Sequence, residues 1–186
     1  HDSMRRRASL TGLRIGEYIL QQRLGRGAFS DVYAGTRGDR SDSFAVKLEP
    51  TSKTVQRLPL EARAYDKLRD APGIPRMHWS GEAHGHRAIV LDRPGPSLQD
   101  VLREAGGALP LDAVRRIGLQ VLERMRTMHE HKLLHCDCKP GNFLLAPRRA
   151  DDGGARRGAR DGRRGGGGGG ERLLSRLASS SLSASD

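Results

Sequence analysis

The chain of 186 residues changes character after Leu145. The next 25 residues, "APRRADDGGARRGARDGRRGGGGGG", hold almost no apolar side chain larger than alanine. Ordering a backbone costs roughly 1–2 kcal/mol per residue, and such text offers little burial to offset it. The tail 147–186 is therefore expected to be disordered, with "ERLLSRLASSSLSASD" forming at most a short helical turn. Any core must be drawn from the residues before it. That length suits one domain or part of a larger one.

Net charge is +11, and it is concentrated at the ends. Residues 1–14 read as a loose basic arm. Between 15 and 147 the balance is that of an ordinary globular domain with a mild positive bias. No apolar run reaches the ~18–20 residues needed to span a bilayer, and no signal-like segment opens the chain. Two cysteines cannot build a disulfide framework. These features lead us to expect a soluble intracellular protein, cytoplasmic and/or nuclear, with reduced thiols.

Five strands can be read from alternation and turn residues: "EYILQQRLG", "DVYAGT", "SFAVKLE", "RMHWSGE" and "HRAIVLD". A helix is expected around 59–69, where Leu60, Ala64 and Leu68 recur every four residues. "SLQDVLREA" opens with a capping-box pattern, Ser97 at the cap and Asp100 three later. The longest helix is expected over 111–131. Its core-facing stripe would comprise Val114, Ile117, Gly118, Val121, Leu122, Met125 and Met128.

Three groups of residues carry chemistry. In "LGRGAFSDVYAG", Gly25 and Gly27 lie between two predicted strands, which suits a hairpin folded over phosphates; a Rossmann turn would need a helix to follow. Such glycines also occur in ordinary turns. Lys47 in "FAVKLE" needs an acidic partner if it is to aim at phosphates, and Glu61 on the next helix can supply it. The third group is "HCDCKPGNF", where Asp137, Lys139 and Asn142 form an H-x-D-x-K-x-x-N arrangement. A carboxylate can orient a hydroxyl and take its proton. A lysine can neutralise a transferring phosphoryl group, and an amide oxygen can ligate Mg²⁺. Zinc at Cys136 and Cys138 would want a second C/H pair, and none exists. The two thiols read as packing residues, with a regulatory thiol as the alternative.

Taken in order, these motifs resemble the eukaryotic protein kinases, and within them the casein kinase I family. "AVKLEP", "GIPRMHWSGE", "LDRPGPSLQDV" and "HCDCKPGNFLL" carry the subfamily likeness over residues 15–146. The resemblance implies an α+β, protein-kinase-like fold. It would have a five-stranded antiparallel N-lobe with one regulatory helix and the start of a helical C-lobe, incomplete. It implies a roof over ATP from Gly25, Gly27 and Phe29, and an adenine site formed by Leu24, Val32, Ala45 and Leu144. Lys47 would contact phosphates and pair with Glu61. Leu91 would be the gatekeeper and Asp92 the start of the hinge. Asp137 would be the catalytic base, Lys139 a phosphate contact and Asn142 a Mg²⁺ ligand. The implied cofactors are ATP and Mg²⁺, and the implied partners are protein substrates with Ser/Thr near acidic or primed residues.

Departures from the family pattern bear on activity. Ser30 stands for the third glycine of the loop, and Cys136 for the arginine before the aspartate. Pro94 lacks the N–H that the hinge gives adenine. No D-F-G follows Leu145, so this chain is expected to be a truncated kinase of very low activity; read-through of an intron or a shifted frame would also produce such text. The alternative is a non-catalytic kinase-like module that binds nucleotide or a partner. "RRRAS" offers a basophilic phosphorylation site at Ser9. The Arg/Gly tail lacks aromatic residues, so a nucleic acid is not expected as a partner; nor, with no spanning apolar run, is a membrane.

Overall fold

The computed structural model describes residues 9–27, 30–38, 40–146 and 177–179, with the backbone alone at 40–43 and 177–179. Two compact units result. One comprises residues up to Ala62 together with Arg76–Arg93, and the other Arg63–Pro75 together with the chain from Pro94 on.

The first unit is built on an antiparallel sheet. Its strands are β1 (Arg14–Ile15), β2 (Tyr18–Arg26), β3 (Asp31–Arg37), β4 (Arg40–Pro50), β5 (Met77–Ala83) and β6 (His86–Asp92), in the order β1-β2-β3-β4-β6-β5. Five of these are the expected strands. The sixth, β1, is a correction: "RIGEY" closes a two-residue hairpin in which Ile15 pairs Tyr18 and Gly16 takes a φ of +58°. Residues assigned to the loose arm belong to it as well. Leu10 and Leu13 pack against the sheet's core, and the Leu20 N–H donates to the Leu13 carbonyl at 2.9 Å. Their isolation among polar residues hid them.

Strand alternation sorts the sheet into two faces. Tyr18, Leu20, Tyr33, Phe44, Val46, Leu48, Ala88 and Val90 form one apolar cluster, with Ile15 and the Trp79 indole against it. Gly35 is required within it, since a Cβ there would meet Val46 Cγ2 at 2.7 Å. Trp79 lies over Gly16 and Gly81. His84 Nε2–H, in the β5–β6 turn, donates to the Arg14 carbonyl at 3.0 Å. The two outermost strands are thus bridged, so the sheet curls.

Helix α1 (Leu58–Lys67) follows β4, and the division between the units falls within it, after Ala62. Ala64, Tyr65 and Leu68 are buried. In the second unit, α2 (Leu98–Glu104) starts with the expected capping box. The Asp100 N–H donates to Ser97 Oγ at 3.1 Å, and the Ser97 N–H donates back to Asp100 Oδ2 at 3.1 Å. Helix α3 (Leu111–Glu130) buries Ala113, Arg124 and Met128, with Ile117, Val121 and Met125 packed on a cluster of Leu98, Phe143 and Leu145. The stripe is therefore rotated from the expected one, because Val114 and Leu122 are exposed, as are Leu111 and Leu119. Arg124 takes a core position by donating to the Pro72 carbonyl.

A loop then leads through one 3₁₀ turn (Pro140–Asn142) to β7 (Phe143–Leu145). Residues 95–97 run along one side of β7: the Gly95 N–H donates to the Leu145 carbonyl at 2.8 Å, and the Leu145 N–H to the Pro96 carbonyl at 2.9 Å. On the other side lies β8 (Leu177–Ser179), antiparallel, with Leu144 opposite Ala178. This stretch of tail, where at most a helical turn was expected, is extended. The rest of the tail lies outside the described residues.

Candidate functional site

Lys47 sits on β4 with Val32 opposite it on β3 and Ile89 opposite it on β6. Two residues back, Ala45 pairs Ala34 and Leu91. Cross-strand partners share a face. Val32, Ala34, Ala45, Ile89 and Leu91 therefore form an apolar floor around the lysine, on the face opposite the Trp79 cluster. The Lys47 ammonium donates to Glu61 Oε1, each side chain being only 14% exposed. Glu61 is in the first turn of α1. The expected ion pair forms because β4 aims Lys47 away from the Tyr33–Phe44 core, while α1 turns Glu61 back to it.

The glycine hairpin borders this floor. Gly25 pairs Val32, and exposed Leu24 precedes it on β2. Gly27 N–H donates to the Ser30 carbonyl at 2.8 Å, closing the turn. Among the described residues, a Cβ at Gly25 would meet nothing within 4 Å, so none of their packing demands glycine there. Phe29 lies outside the described residues. Leu91 is buried, and Asp92 ends β6 with its carboxylate accepting the Arg76 N–H at 3.1 Å and His78 Nε2–H at 2.6 Å.

The second unit carries the other group. Asp137 Oδ2 accepts Lys139 Nζ at 2.7 Å and Asn142 Nδ2 at 2.8 Å. These two donors hold its carboxyl below the usual carboxylate range, Lys139 contributing most. The same Nδ2 donates to the Asp137 carbonyl at 2.7 Å, so Asn142 spans side chain and backbone of the aspartate. Its carbonyl oxygen Oδ1 is then the atom suited to a hard cation. Among the described residues no cluster of three His, Cys, Asp or Glu could hold a metal. One protein oxygen nevertheless fits Mg²⁺, which commonly takes its remaining ligands from water and substrate phosphates.

A sharp turn aims this carboxylate. The Asp137 N–H donates to the His135 carbonyl at 2.7 Å across Cys136, whose φ is +56°. A three-residue turn of this hand is rare and strained. His135 anchors it from below, being buried and stacked on Phe143 at 5.4 Å. Burial holds the His135 imidazole below its ordinary 6.5, in the neutral form. Cys136 and Cys138 are both exposed, not packed as expected, because the turn points this stretch to solvent. Leu144 lies on β7 between buried Phe143 and Leu145.

Gly25, Val32, Ala45, Lys47, Glu61 and Leu91 are thus gathered in one unit. Asp137, Lys139 and Asn142 are gathered in the other, with Leu24 and Leu144 on strands beside each group. Two residues with geometric parts to play had no assigned role in the sequence. Glu49 is a charge inside an apolar strand, a signal that could have marked it. His135 opens the H-x-D-x-K-x-x-N arrangement, but the sequence gave it no part of its own. A family model described as Protein kinase domain matches residues 18–155, from the start of β2 to ten residues beyond β7. That span is most of the chain and includes both groups. The fold, the lysine–glutamate pair and the aspartate loop agree with it: the chain belongs to the protein kinase domain family, whose members use ATP and a divalent metal to phosphorylate proteins.

Proposed function

We propose that this chain is a protein serine/threonine kinase module of casein kinase I type, acting on Ser/Thr near acidic or already phosphorylated residues. The observation that carries this reading is Asp137 held ionised between Lys139 and Asn142 at the head of a turn that presents it to solvent. An ionised carboxylate so placed orients a substrate hydroxyl and receives its proton as the hydroxyl oxygen attacks the γ-phosphorus, the bond to the β–γ bridging oxygen breaks and ADP leaves. Lys139, at hydrogen-bond distance, is shared between Asp137 and the charge growing on the phosphoryl oxygens. Asn142 Oδ1 would ligate Mg²⁺, which supplies charge neutralisation at the phosphates.

The first unit would hold the nucleotide. The floor of Val32, Ala45 and Leu91 accepts adenine by apolar contact, with Leu24 beside it on β2. Lys47, oriented by Glu61, takes the α- and β-phosphates. The unhindered backbone at Gly25 lets a polyphosphate approach, consistent with the glycine hairpin acting as its cover. Pro94 removes one adenine hydrogen bond, a loss of roughly 0.5–1.5 kcal/mol. Cytoplasm and nucleus are the compartments proposed for this activity.

The second reading is a non-catalytic nucleotide-binding module. It is favoured by the sequence after Leu145, which contains no Asp-Phe-Gly triplet to supply a second metal ligand. One pair of measurements separates the two. Binding of MgATP that is weakened, yet still measurable, in Lys47→Met is expected under both. Transfer of γ-phosphate to a casein-like acidic substrate, abolished by Asp137→Asn, is expected only under the first, at a very low rate. Absence of any Lys47-dependent nucleotide affinity overturns both.

A further inference from the structure

Glu49 lies two residues beyond Lys47 on β4, hence on the same sheet face, and is only 1% exposed. Its carboxylate accepts the Arg57 N–H at 3.2 and 3.1 Å and the Leu58 N–H at 3.0 Å. Leu58 is the first residue of α1. The first N–H groups of a helix have no partner within it, and a negative charge at that end is favourable. The sequence offers no local substitute: Arg57, at the cap position, has a side chain that cannot accept a hydrogen bond. A buried carboxylate is costly unless hydrogen bonds hold it. Here the start of α1 supplies them.

Strand β4 therefore grips α1 at two points from one face. Glu49 takes the backbone at the start of the helix, and Lys47 takes the Glu61 side chain. The Glu61 N–H donates to the Arg57 carbonyl at 3.0 Å, so the two grips are one helical turn apart. Two contacts at that separation fix both the height and the rotation of α1 against β4. A single ion pair between flexible side chains would leave the rotation free.

We infer that Glu49 is a positioning residue. It sets α1 so that Glu61 meets Lys47, and through that pair it orients the lysine for nucleotide phosphates. The first half concerns the protein alone, and the second rests on the proposed nucleotide role of Lys47.

The test uses the full chain and two measurements. Amide exchange in the absence of nucleotide reads the placement: Glu49→Gln should speed exchange at Arg57, Leu58 and Glu61 and leave β2 and β3 unchanged. Binding of a non-hydrolysable ATP analogue with Mg²⁺ reads the consequence. Glu49→Gln should weaken it roughly five- to fiftyfold, within the range of ordinary coupling between sites. In a Lys47→Met background the same substitution should have no further effect. Equal weakening in both backgrounds, or unchanged exchange at the three amides, overturns the inference. If Glu49→Gln unfolds the chain, Glu49→Asp is used, whose shorter reach should give the same pattern with smaller amplitude. If the wild type binds no nucleotide, the proposed function falls, while the exchange pattern still decides whether Glu49 places α1.

Discussion

Two carboxylate–ammonium pairs occupy very different settings. Lys47 and Glu61 are each 14% exposed, whereas Lys139 and Asp137 are 58% and 52% exposed. The buried pair joins a strand to a helix across an apolar floor, which holds both groups away from bulk water. The exposed pair lies within three residues of one loop, where water already competes for both groups. Removal of one partner therefore costs little in the loop and much on the sheet. The first pair fixes a lysine in one orientation, and the second leaves its carboxylate accessible from solvent.

The contrast can be broken most sharply at Glu61. Glu61→Ala removes the carboxylate facing Lys47 on an apolar face, and should destabilise the first unit by about 2–4 kcal/mol, near the range for breaking a buried pair. Glu61→Ala with Lys47→Met should recover most of that loss in denaturant unfolding. Within the second unit, Ser97→Ala removes the α2 capping box and should cost about 1 kcal/mol in the same measurement.

Proton linkage gives a smaller effect with a defined direction. His135 is held neutral by burial, so the unfolded chain takes up its proton first as pH falls below 6.5. The wild type should lose stability from that pH downward, and His135→Asn should flatten the profile there, as read from unfolding midpoints at pH 5 to 7. The smallest change is expected at the exposed pair. Lys139→Ala should leave unfolding midpoints unaltered while the Asp137 carboxyl moves back up toward its ordinary 3.8 in an NMR titration. A large loss of stability in that variant would erase the distinction between the two pairs.

Spacing made much of this legible. Period-two alternation located β2 to β6, and the positions of Lys47, Asp137, Lys139 and Asn142 followed from motifs whose residue types have few other uses in that order. The Ser97–Asp100 cap was readable because its chemistry is local. What escaped the sequence was tertiary. Glu49 stands out as a charge in an apolar strand, but its partners appear only when α1 is brought to it. On α3, apolar residues surround more than half the helix, so periodicity alone chose Val114 and Leu122 where packing chose Ala113 and Arg124. The Cys136 turn had no local signal, since cysteine has no preference for positive φ. The hairpin at Arg14–Ile15 is too short for any period to register.

Trp79 is the sole tryptophan of the chain, and it lies wholly within the sheet unit, against Gly16 and Gly81. Intrinsic indole emission therefore reports melting of that unit and is silent on the helices and the aspartate loop. Circular dichroism at helical wavelengths weights the opposite half. Running both probes on one sample would show directly whether the halves of this kinase chain unfold together or in sequence.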